Sequence, residues 1–477
     1  MSVIKFGTDG WRGIISDNFT FNNVRRVGFA IADYYNRKKP LKNKSSGIKI
    51  AVGYDTRFLS ATYARIIGEV LASKGIKVIL SDRAVPTPAL SFTVKLNKLS
   101  AGVMITASHN PAAYNGIKIK TDSGGAAPPE VTREIEKRIP ADKSAVIIAA
   151  ANTAKGMVLE NLVSDYIKFL RSYIKLPLLK KQGFRILVDV MHGSGNDFIA
   201  DVLAGTKVKA DFIRNQNNPS FGGLRPEPVL ENLSVSILAL KNKRYDLGLV
   251  LDGDADRIAA FTGKGEFIYP QKILGLLILH FVRNRKMAAG VVKTIAGSTL
   301  IDKITRKLGL KLYETPVGFK YISELMEEED ILIGGEEAGG IGFKGYIPER
   351  DGSLAGLLLL EMMAYQGKSI ARILSEMEKE FGRYYYLRED KYLSGFTSRK
   401  SAVLSSRIKK FTSLKRLLGK KVDQVKDFDG VKLICEDESW LMLRRSGTEP
   451  LVRIYSEAKS LARSKKLISF GRGFISI

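Results

Sequence analysis

The stretch that decides the fold begins with the apolar run AGVMI at residues 101–105 and continues as TASHNP at residues 106–111. An apolar run of this length, bounded by turn residues, predicts a buried strand. Ligand sites in α/β sheets collect at the carboxyl ends of such strands, and Ser108 lies on the loop that leaves this one. Ser108 is therefore the first candidate functional residue, although Ser-His-Asn-Pro is also ordinary turn sequence.

The same arrangement recurs along the chain as an apolar run, a Gly- or Asp-rich turn and a segment with helical spacing. It is found again at residues 48–52, 184–190, 247–251 and 331–333. Alternating strand and helix signals indicate α/β domains with mostly parallel sheets. Near the end of the sequence, two further runs predict strands on either side of a loop, at residues 439–443 and 451–455. This last part is predicted to form a smaller α+β domain.

At 477 residues the chain is too long for one hydrophobic core, since cores usually stop growing at about 250–300 residues. Small residues at 149–154, a Gly-Lys-Gly turn at 263–265 and a Phe-Gly-Arg break at 381–383 mark candidate boundaries. We predict four domains, at residues 1–150, 151–262, 263–380 and 381–477.

The composition limits the class of protein. A hydrophobic content of 45% and a mean hydropathy of −0.05 fit a soluble globular chain, and no apolar stretch reaches the roughly 18 residues of a membrane span. Cys435 is the only cysteine, so no internal disulfide can form. Together with the lack of a signal-peptide pattern, this leads us to expect a cytoplasmic protein without membrane attachment.

The formal net charge of +27 favours anionic partners, which include nucleic acids and phosphorylated metabolites. Basic residues are spread fairly evenly, with one denser block at residues 399–421. That block lacks the interleaved aromatic residues that stack on bases. We interpret it as a solvated surface and expect no nucleic-acid partner, with a polyanion-binding protein as the alternative.

The segment Asp252-Gly253-Asp254-Ala255-Asp256-Arg257 carries three carboxylates at alternate positions. In an extended backbone these side chains point to one side, and an all-oxygen set of this kind suits Mg²⁺. An EF-hand would need Gly at loop position six and Glu at position twelve, where this chain has Arg257 and Gly263. The calcium-loop interpretation therefore fails, and an Asx-rich surface turn is the remaining alternative.

A serine hydrolase is disfavoured, because His109 is the immediate neighbour of Ser108 and no G-x-S-x-G elbow surrounds it. The following segment, residues 114–120, predicts a turn into a strand that returns Lys118 towards Ser108. A lysine close to a metal and other cations can have its pKa lowered enough for acid/base work. An exposed strand lysine is the plain alternative.

Three other segments suggest ligand contacts. Residues 334–340 form a Gly-rich turn in which carboxylates can accept hydrogen bonds from sugar hydroxyls. Residues 444–448, with Arg453, offer guanidiniums and hydroxyls suited to a phosphate group. Residues 7–13 resemble an anion-facing loop. A flexible turn and a polar hairpin loop are the alternatives for the first two.

Taken in their order along the chain, these motifs resemble those of the α-D-phosphohexomutase family, and the resemblance spans nearly the whole chain. It implies three related domains with mixed α/β sheets and a smaller α+β domain around a central cleft. It also implies that Ser108 is carried as phosphoserine and that Mg²⁺ is held by Ser108, Asp252, Asp254 and Asp256. The catalytic residues implied are Ser108, His109, Arg12, Lys118 and Arg257.

The resemblance assigns the substrate contacts as well. Glu336 would hold sugar hydroxyls, with Thr315 and Gly318 on a further substrate loop. The distal phosphate would be bound by Arg444, Ser446, Gly447, Thr448 and Arg453. The family's sugar loop usually has serine at the position of Ala338, and some members have histidine at that of Gly340, so these departures leave the substrate preference open.

The implied activity is that of an intramolecular phosphotransferase acting on a small-molecule hexose phosphate. It would interconvert hexose 1-phosphate and hexose 6-phosphate, of glucose and/or mannose, through a bisphosphorylated sugar. Glucose 1,6-bisphosphate or an equivalent would serve as activator, and we expect a monomer or homodimer. The alternatives are a phosphoglucosamine mutase, a metal-dependent phosphatase, a polyanion-binding protein on the same scaffold and a non-catalytic family member, for which Ala338 is the one hint.

Overall fold

A computed structural model arranges the chain around four β-sheets, one for each successive part of the sequence. We call these parts domains I to IV. Within the residues that can be described, no helix is long and apolar enough to cross a membrane. The structure describes residues 4–7, 9–38, 47–141, 156–196, 198–392, 398–445 and 451–475.

Domain I contains β1 (Trp11–Ile14), α1 (Phe21–Arg37), β2 (Lys49–Tyr54), α2 (Ser60–Ser73), β3 (Lys77–Ser81), α3 (Thr87–Leu96), β4 (Ala101–Ile105), β5 (Tyr114–Lys120), α4 (Pro129–Glu136) and β6 (Met157–Glu160). Its sheet has the order β1-β5-β4-β2-β3-β6. The strands β4, β2, β3 and β6 are parallel, whereas β5 and β1 are antiparallel. The hairpin of β4 and β5 pairs Lys118 with Met104 and so returns Lys118 towards the end of β4 that precedes Ser108, the direction that the sequence predicted.

Domain II contains α5 (Ser164–Tyr173), α6 (Leu176–Leu179), β7 (Arg185–Asp189), α7 (Phe198–Leu203), β8 (Lys209–Ile213), α8 (Ser234–Asn242), β9 (Leu247–Leu251), β10 (Ile258–Thr262) and β11 (Phe267–Ile268). The sheet order is β11-β10-β9-β7-β8, with β8, β7 and β9 parallel and the other pairs antiparallel. The Asp-rich segment is the loop between β9 and β10.

Domain III contains α9 (Pro270–Leu279), β12 (Gly290–Thr294), α10 (Thr299–Leu308), β13 (Leu312–Thr315), α11 (Phe319–Glu328), β14 (Ile331–Gly335), β15 (Ile341–Phe343), α12 (Gly352–Gln366) and α13 (Ile370–Phe381). Its sheet has the order β13-β12-β14-β15, in which only the last pair is antiparallel. The Gly-rich segment is the loop of this last hairpin.

Domain IV contains β16 (Tyr385–Tyr392), α14 (Ser398–Phe411), β17 (Arg416–Leu417), β18 (Lys420–Lys426), β19 (Val431–Cys435), β20 (Trp440–Arg445), β21 (Leu451–Ala458) and α15 (Leu461–Ile475). All its strand pairs are antiparallel, in the order β16-β21-β20-β19-β18-β17. The two strands predicted near the end of the sequence are β20 and β21.

The fold class is confirmed: three domains have mixed α/β sheets, and the fourth has an antiparallel sheet with helices. The expectation of mostly parallel sheets holds only for part of each of the first three sheets, because antiparallel strands form one edge of each sheet. The Asp-rich and Gly-rich segments close tight hairpins instead of crossovers, and this places antiparallel strands at the edges. Strand β6 pairs with domain I although it follows the predicted boundary at residue 150, and the domain limits stay predictions.

Helix α12 packs domains II and III against each other. Every residue from Gly352 to Ala364 is buried, as expected for a helix that is apolar on nearly all sides. Gly356 permits the close approach, because a Cβ there would lie 2.8 Å from Leu249 Cδ1 of β9. The Asp-rich loop at the end of β9 is thus held rigidly relative to domain III.

Domain IV contacts domain III through a buried lysine. The Lys432 ammonium on β19 donates to the carbonyls of Ile295 (2.8 Å) and Gly297 (3.1 Å), and its Nζ lies 3.8 Å from the centre of the Trp440 ring. Burial, together with repulsion from Lys293, lowers the pKa of Lys432 to about 7. This interface therefore contains a group that titrates near neutral pH.

A pH-dependent stability follows from this contact. The folded protein releases the Lys432 proton near pH 7, whereas the unfolded chain retains it until about pH 10. The unfolded state then binds more protons between these values, so stability should rise with pH relative to Lys432→Met, by at most roughly 1.4 kcal/mol per pH unit. Denaturant unfolding of both proteins at pH 7, 8 and 9 measures this, and a difference that stays constant with pH would contradict it.

Candidate active site

Ser108 lies at the carboxyl end of the buried strand β4, as the sequence predicted. Its φ is 51°, its side chain is fully buried, and its N–H donates to Thr106 Oγ1 at 2.8 Å. The Arg57 guanidinium donates to the carbonyls of Ser108 (2.6 Å), Asn110 (2.7 Å), Pro111 (2.9 Å) and Tyr114 (3.0 Å). Four backbone acceptors on one planar guanidinium hold this loop in a single conformation.

The Asp-rich loop brings its three carboxylates together, with one oxygen from each lying within 4.8 Å of the others. The expected extended backbone was wrong, since residues 252–257 form a tight turn between β9 and β10 in which Ala255 has φ 57°. The carboxylates converge because the turn folds the chain back on itself. A small residue at position 255 tolerates this left-handed backbone better than a branched one.

The carboxylate oxygens of this loop divide into bonded and unpartnered ones. Ser108 Oγ donates to Asp252 Oδ2 at 2.9 Å, and Lys118 Nζ donates to Asp254 Oδ2 (2.7 Å) and Asp256 Oδ2 (2.9 Å). The Oδ1 atoms of Asp254 and Asp256 are buried and have no hydrogen-bond partner among the described residues. Buried carboxylate oxygens without a hydrogen bond, in a loop that contacts Ser108, fit a hard divalent cation such as Mg²⁺.

Glycines permit the Asp-rich loop to pack closely against the Ser108 loop. A Cβ on Gly253 would lie 2.5 Å from the Ser108 carbonyl oxygen, and one on Gly193 would lie 2.6 Å from the Gly253 carbonyl oxygen. Both distances are shorter than non-bonded atoms allow. A side chain at Gly253 would therefore push the Asp-rich loop away from the Ser108 loop, and a side chain at Gly193 would displace the backbone of the Asp-rich loop.

The charges explain why this centre needs cations. Burial, followed by repulsion from Asp256 and Asp254, raises the pKa of Asp252 well above its usual range. Burial alone would lower the pKa of Lys118, but the carboxylates of Asp254, Asp256 and Asp9 outweigh it and raise that pKa. The expected lowering at Lys118 is therefore not what the structure shows, because carboxylates surround its ammonium.

The other residues predicted for catalysis lie around the same serine. His109 Nδ1 is 3.3 Å from Ser108 Oγ, and burial together with the charges of Arg257 and Arg12 lowers the pKa of His109 well below its usual value. Arg12 donates to the Asn110 side chain, and Arg257 Nε lies 3.9 Å from Asp256 Oδ1. The structure thus gathers these three residues and Lys118 around Ser108.

The Gly-rich loop of domain III faces the Asp-rich loop of domain II through an antiparallel bridge between Arg257 and Gly340. Burial raises the pKa of Glu336 despite the nearby guanidinium of Arg350, whose Nη1 donates to Glu336 Oε2 at 3.1 Å. Thr294 donates to Glu337 at 2.9 Å. Glu336 is thereby held close to the aspartate loop.

The remaining predicted contacts lie between domains III and IV. Thr315 ends β13, Gly318 has φ 136°, and the intervening Val317 N–H donates to Asp429 Oδ2 at 2.8 Å. Asp429 Oδ2 also accepts from Arg444 Nε at 2.9 Å. One domain IV carboxylate therefore joins the Thr315–Gly318 loop to the start of the predicted phosphate loop.

Part of the predicted phosphate site lies outside the described residues, namely Ser446, Gly447 and Thr448. Arg453 is described, and its Nε is 3.7 Å from Asp390 Oδ2. The positions of Arg444 and Arg453 flank the loop on β20 and β21.

The sequence did not predict several residues of the centre, among them three charged residues that contact predicted ones, Asp9, Arg350 and Arg57. Asp9 Oδ2 lies 3.0 Å from Lys118 Nζ, and Arg350 reaches both Asp9 and Asp256, while Arg57 holds the Ser108 loop. Asp9 belongs to the glycine-rich segment 7–13 that was singled out, so its position was available as a signal. Arg350 and Arg57 have no motif around them that points to a site.

Sequence models of four domain families match the chain in the order expected. They are the phosphoglucomutase/phosphomannomutase α/β/α domains I (residues 3–146), II (164–265) and III (269–381) and the C-terminal domain of the same proteins (404–469). The chain belongs to the phosphoglucomutase/phosphomannomutase family, which is a family of α-D-phosphohexomutases, and its enzyme class is that of the mutases.

Curated relatives differ in the sugar that their names specify. A phosphoglucomutase/phosphomannomutase of Thermococcus kodakarensis is 30% identical over 98% of this chain and 97% of its own length. A phosphoglucosamine/phosphogalactosamine mutase of Sulfurisphaera tokodaii is also 30% identical, over 97% of each chain. Sequence identity therefore does not separate the two substrate classes.

A solved structure from Thermus thermophilus, assigned as a phosphomannomutase, superposes with a TM-score of 0.87. It is 33% identical and covers 99% of both chains. The open form of parafusin, a phosphoglucomutase from Paramecium, has a TM-score of 0.81 at 23% identity, over 99% of this chain and 94% of its own. The second likeness concerns the fold alone.

Proposed function

We propose that the protein interconverts hexose 1-phosphate and hexose 6-phosphate through a phosphoserine at Ser108. The observation that carries this proposal is the contact between Ser108 Oγ and Asp252, together with the buried Oδ1 atoms of Asp254 and Asp256, which have no hydrogen-bond partner among the described residues. A hydroxyl at the rim of a carboxylate cluster is suited to carry a phosphoryl group that a divalent cation neutralises.

The reaction conserves its phosphoryl groups. The group on Ser108 Oγ passes to the free hydroxyl of a hexose monophosphate, and the hydroxyl proton leaves, giving a bisphosphate. After the sugar has turned, its other phosphate returns to Ser108 Oγ and the new hydroxyl regains a proton. No water is consumed, so exclusion of water separates this mutase from a phosphatase.

The residues around Ser108 have different roles in the proposed phosphoryl transfer. Lys118 remains an ammonium and keeps the aspartate oxygens in place, while the neutral imidazole of His109 lies 3.3 Å from Ser108 Oγ, where a proton must move. Arg12 and Arg257 stabilise the charge that develops on the transferred group. Mg²⁺ held by Ser108 phosphate, Asp252, Asp254 and Asp256 would supply further charge neutralisation.

The distal half of the substrate would contact domains III and IV. Glu336 accepts hydrogen bonds from sugar hydroxyls, with Thr315 and Gly318 on the loop beside it. The non-reacting phosphate is bound by Arg444, Ser446, Gly447, Thr448 and Arg453. Two phosphate sites are needed, because either end of the sugar must be anchored while the other end reacts.

We assign glucose and/or mannose phosphates as the preferred substrates, with phosphoglucosamine as the second candidate. The second candidate is favoured by the equal identity to a phosphoglucosamine/phosphogalactosamine mutase. A hexose 1,6-bisphosphate is proposed as activator. Cytoplasmic location, a monomeric or homodimeric state and the absence of a nucleic-acid partner remain expectations from the sequence.

Both the mutase activity and the sugar preference can be tested by measuring rates with Mg²⁺ and activating bisphosphate. The substrates to compare are glucose 1-phosphate, mannose 1-phosphate and glucosamine 1-phosphate. We expect kcat/KM for glucose or mannose phosphate to exceed that for the amino sugar by about tenfold or more. The reverse order would move the assignment to phosphoglucosamine. Release of free phosphate in excess of isomer would show a phosphatase instead and defeat the mutase proposal.

A further inference from the structure

Arg350 occupies the junction between strand β15 and helix α12. The next residue, Asp351, accepts the N–H of Leu354 at 2.8 Å and so caps α12, which fixes the backbone beside Arg350. The Arg350 side chain is only 3% exposed. A buried guanidinium needs carboxylate partners, since unpaired charge is costly away from water.

The partners of Arg350 come from three domains. Its Nη1 donates to Glu336 Oε2 (3.1 Å), and its Nη2 donates to Asp9 Oδ2 (2.9 Å) and Asp256 Oδ2 (2.6 Å). Its Nε lies 3.4 Å from Glu349 Oε1. One planar group therefore connects the N-terminal segment of domain I, the aspartate loop of domain II and the Gly-rich loop of domain III.

The contact with Asp256 also decides which oxygen of this aspartate is left without a hydrogen bond. Arg350 and Lys118 both bind Oδ2, and Oδ1 has no hydrogen-bond partner among the described residues. A carboxylate fixed through one oxygen presents the other in a defined direction. Arg350 thus orients Asp256 as well as Glu336.

Gly340 provides the room that Arg350 needs. A Cβ at position 340 would lie 2.2 Å from Arg350 Cδ and 2.8 Å from Cγ, and 3.2 Å from Glu336 Oε2. Gly340 does not have a positive φ, so an alanine there would be opposed by this contact and not by the backbone. Any side chain at this position must displace the arginine.

We propose that Arg350 is a positioning residue that fixes Glu336 and Asp256 in one arrangement, and that the absence of a side chain at Gly340 leaves the room that Arg350 needs. Arg350 acts through these two carboxylates and does not itself exchange a proton. The inference rests on the proposed function for the role of Glu336, whereas its effect on Asp256 can be measured without turnover.

The first test is a double-mutant cycle of Arg350→Met and Glu336→Gln in kcat/KM for the best hexose 1-phosphate. Each single change should lower kcat/KM roughly 10–100-fold, because groups that orient site residues have effects of this size. The double variant should be little worse than the more affected single variant, since both changes remove one linked function. Fully additive losses, or wild-type kinetics in Arg350→Met, would overturn the proposal.

The second test compares Gly340→Ala with Gly183→Ala. Gly183 lies before β7, and a Cβ there meets no atom within 4 Å, so it reports the generic cost of adding a methyl group. Gly340→Ala should reproduce the kinetic loss of Arg350→Met, with Gly183→Ala equal to wild type. Equal behaviour of the two alanine variants would overturn the role of Gly340.

The third measurement is calorimetric titration of Mg²⁺ without sugar. Arg350→Met and Gly340→Ala should bind Mg²⁺ about tenfold or more weakly than wild type, and Gly183→Ala should be unchanged. Arg350→Lys should not restore wild-type affinity, because an ammonium cannot span the separate carboxylates as the fork does. Full affinity in Arg350→Lys or Arg350→Met would overturn the proposal. A wild-type protein inactive on every hexose phosphate would defeat the proposed function alone, and this titration would still decide on Arg350.

Discussion

Ser108→Ala is expected to abolish mutase activity, with kcat/KM reduced by at least about 10³-fold. The reason is chemical, because alanine has no oxygen to carry the phosphoryl group between the two ends of the sugar. Folding should be preserved, since Arg57 holds the loop through backbone carbonyls that alanine retains. Initial rates from hexose 1-phosphate to hexose 6-phosphate measure the loss, and the intact mass reports whether the protein carries a phosphate group.

Ser91→Ala is the matched control. Ser91 is equally buried, on helix α3, and its hydroxyl has no hydrogen-bond partner in the described part of the chain. It should keep wild-type rates and the phosphorylated mass. If Ser108→Ala retained full activity, or if the phosphate remained on the protein, the phosphoserine assignment would be wrong.

Asp254→Asn should give the second-largest effect, a loss of about 10²-fold or more in kcat. Its Oδ1 has no hydrogen-bond partner among the described residues and is a proposed Mg²⁺ ligand. The amide of asparagine would offer Mg²⁺ a neutral oxygen, which is a weaker ligand than a charged carboxylate oxygen. Mg²⁺ raises the thermal midpoint of any protein whose folded state binds it, so the Mg²⁺-dependent shift should shrink in this variant. Thermal unfolding with and without Mg²⁺ measures that shift independently of activity.

Asp189→Asn provides a contrasting control. Asp189 is a buried aspartate that pairs with Arg214 at 2.5 Å and lies outside the proposed cation site. Its substitution should lower the thermal midpoint by the same amount with and without Mg²⁺, leaving the Mg²⁺-dependent shift intact. An Asp254→Asn protein whose shift equals that of wild type would remove this residue from the ligand set.

The sequence predicted where the site lies more accurately than it predicted which charged residues surround Ser108. Apolar runs and the residues after them placed Ser108 and the aspartate triad at strand ends, because both patterns are local. The turn conformation of the triad loop was not foreseen, since alternate spacing suits an extended strand equally well. Packing of β9 against β10 decided the outcome.

The positively charged residues Arg350 and Arg57 were the main part of the site that the sequence did not predict. Arg350 and Asp9 are separated by 341 positions in the chain, and no local pattern relates them. The pKa of Lys118 was expected to fall beside a metal and other cations, but carboxylates from domains I and II surround it. Such long-range pairs become visible only when the domains have been placed against each other.

The four hydrogen bonds from Arg57 to the Ser108 loop bear on which group moves during the reaction. Because its loop is held at four carbonyls, Ser108 is not expected to move with the phosphoryl group, and in the proposed reaction the sugar itself must turn between the two transfers. The proposed bisphosphate intermediate would have to leave its binding contacts, rotate and bind again before it diffuses away. Under this proposal, catalytic efficiency would depend on how long the cleft retains the released intermediate as well as on the chemistry at Ser108.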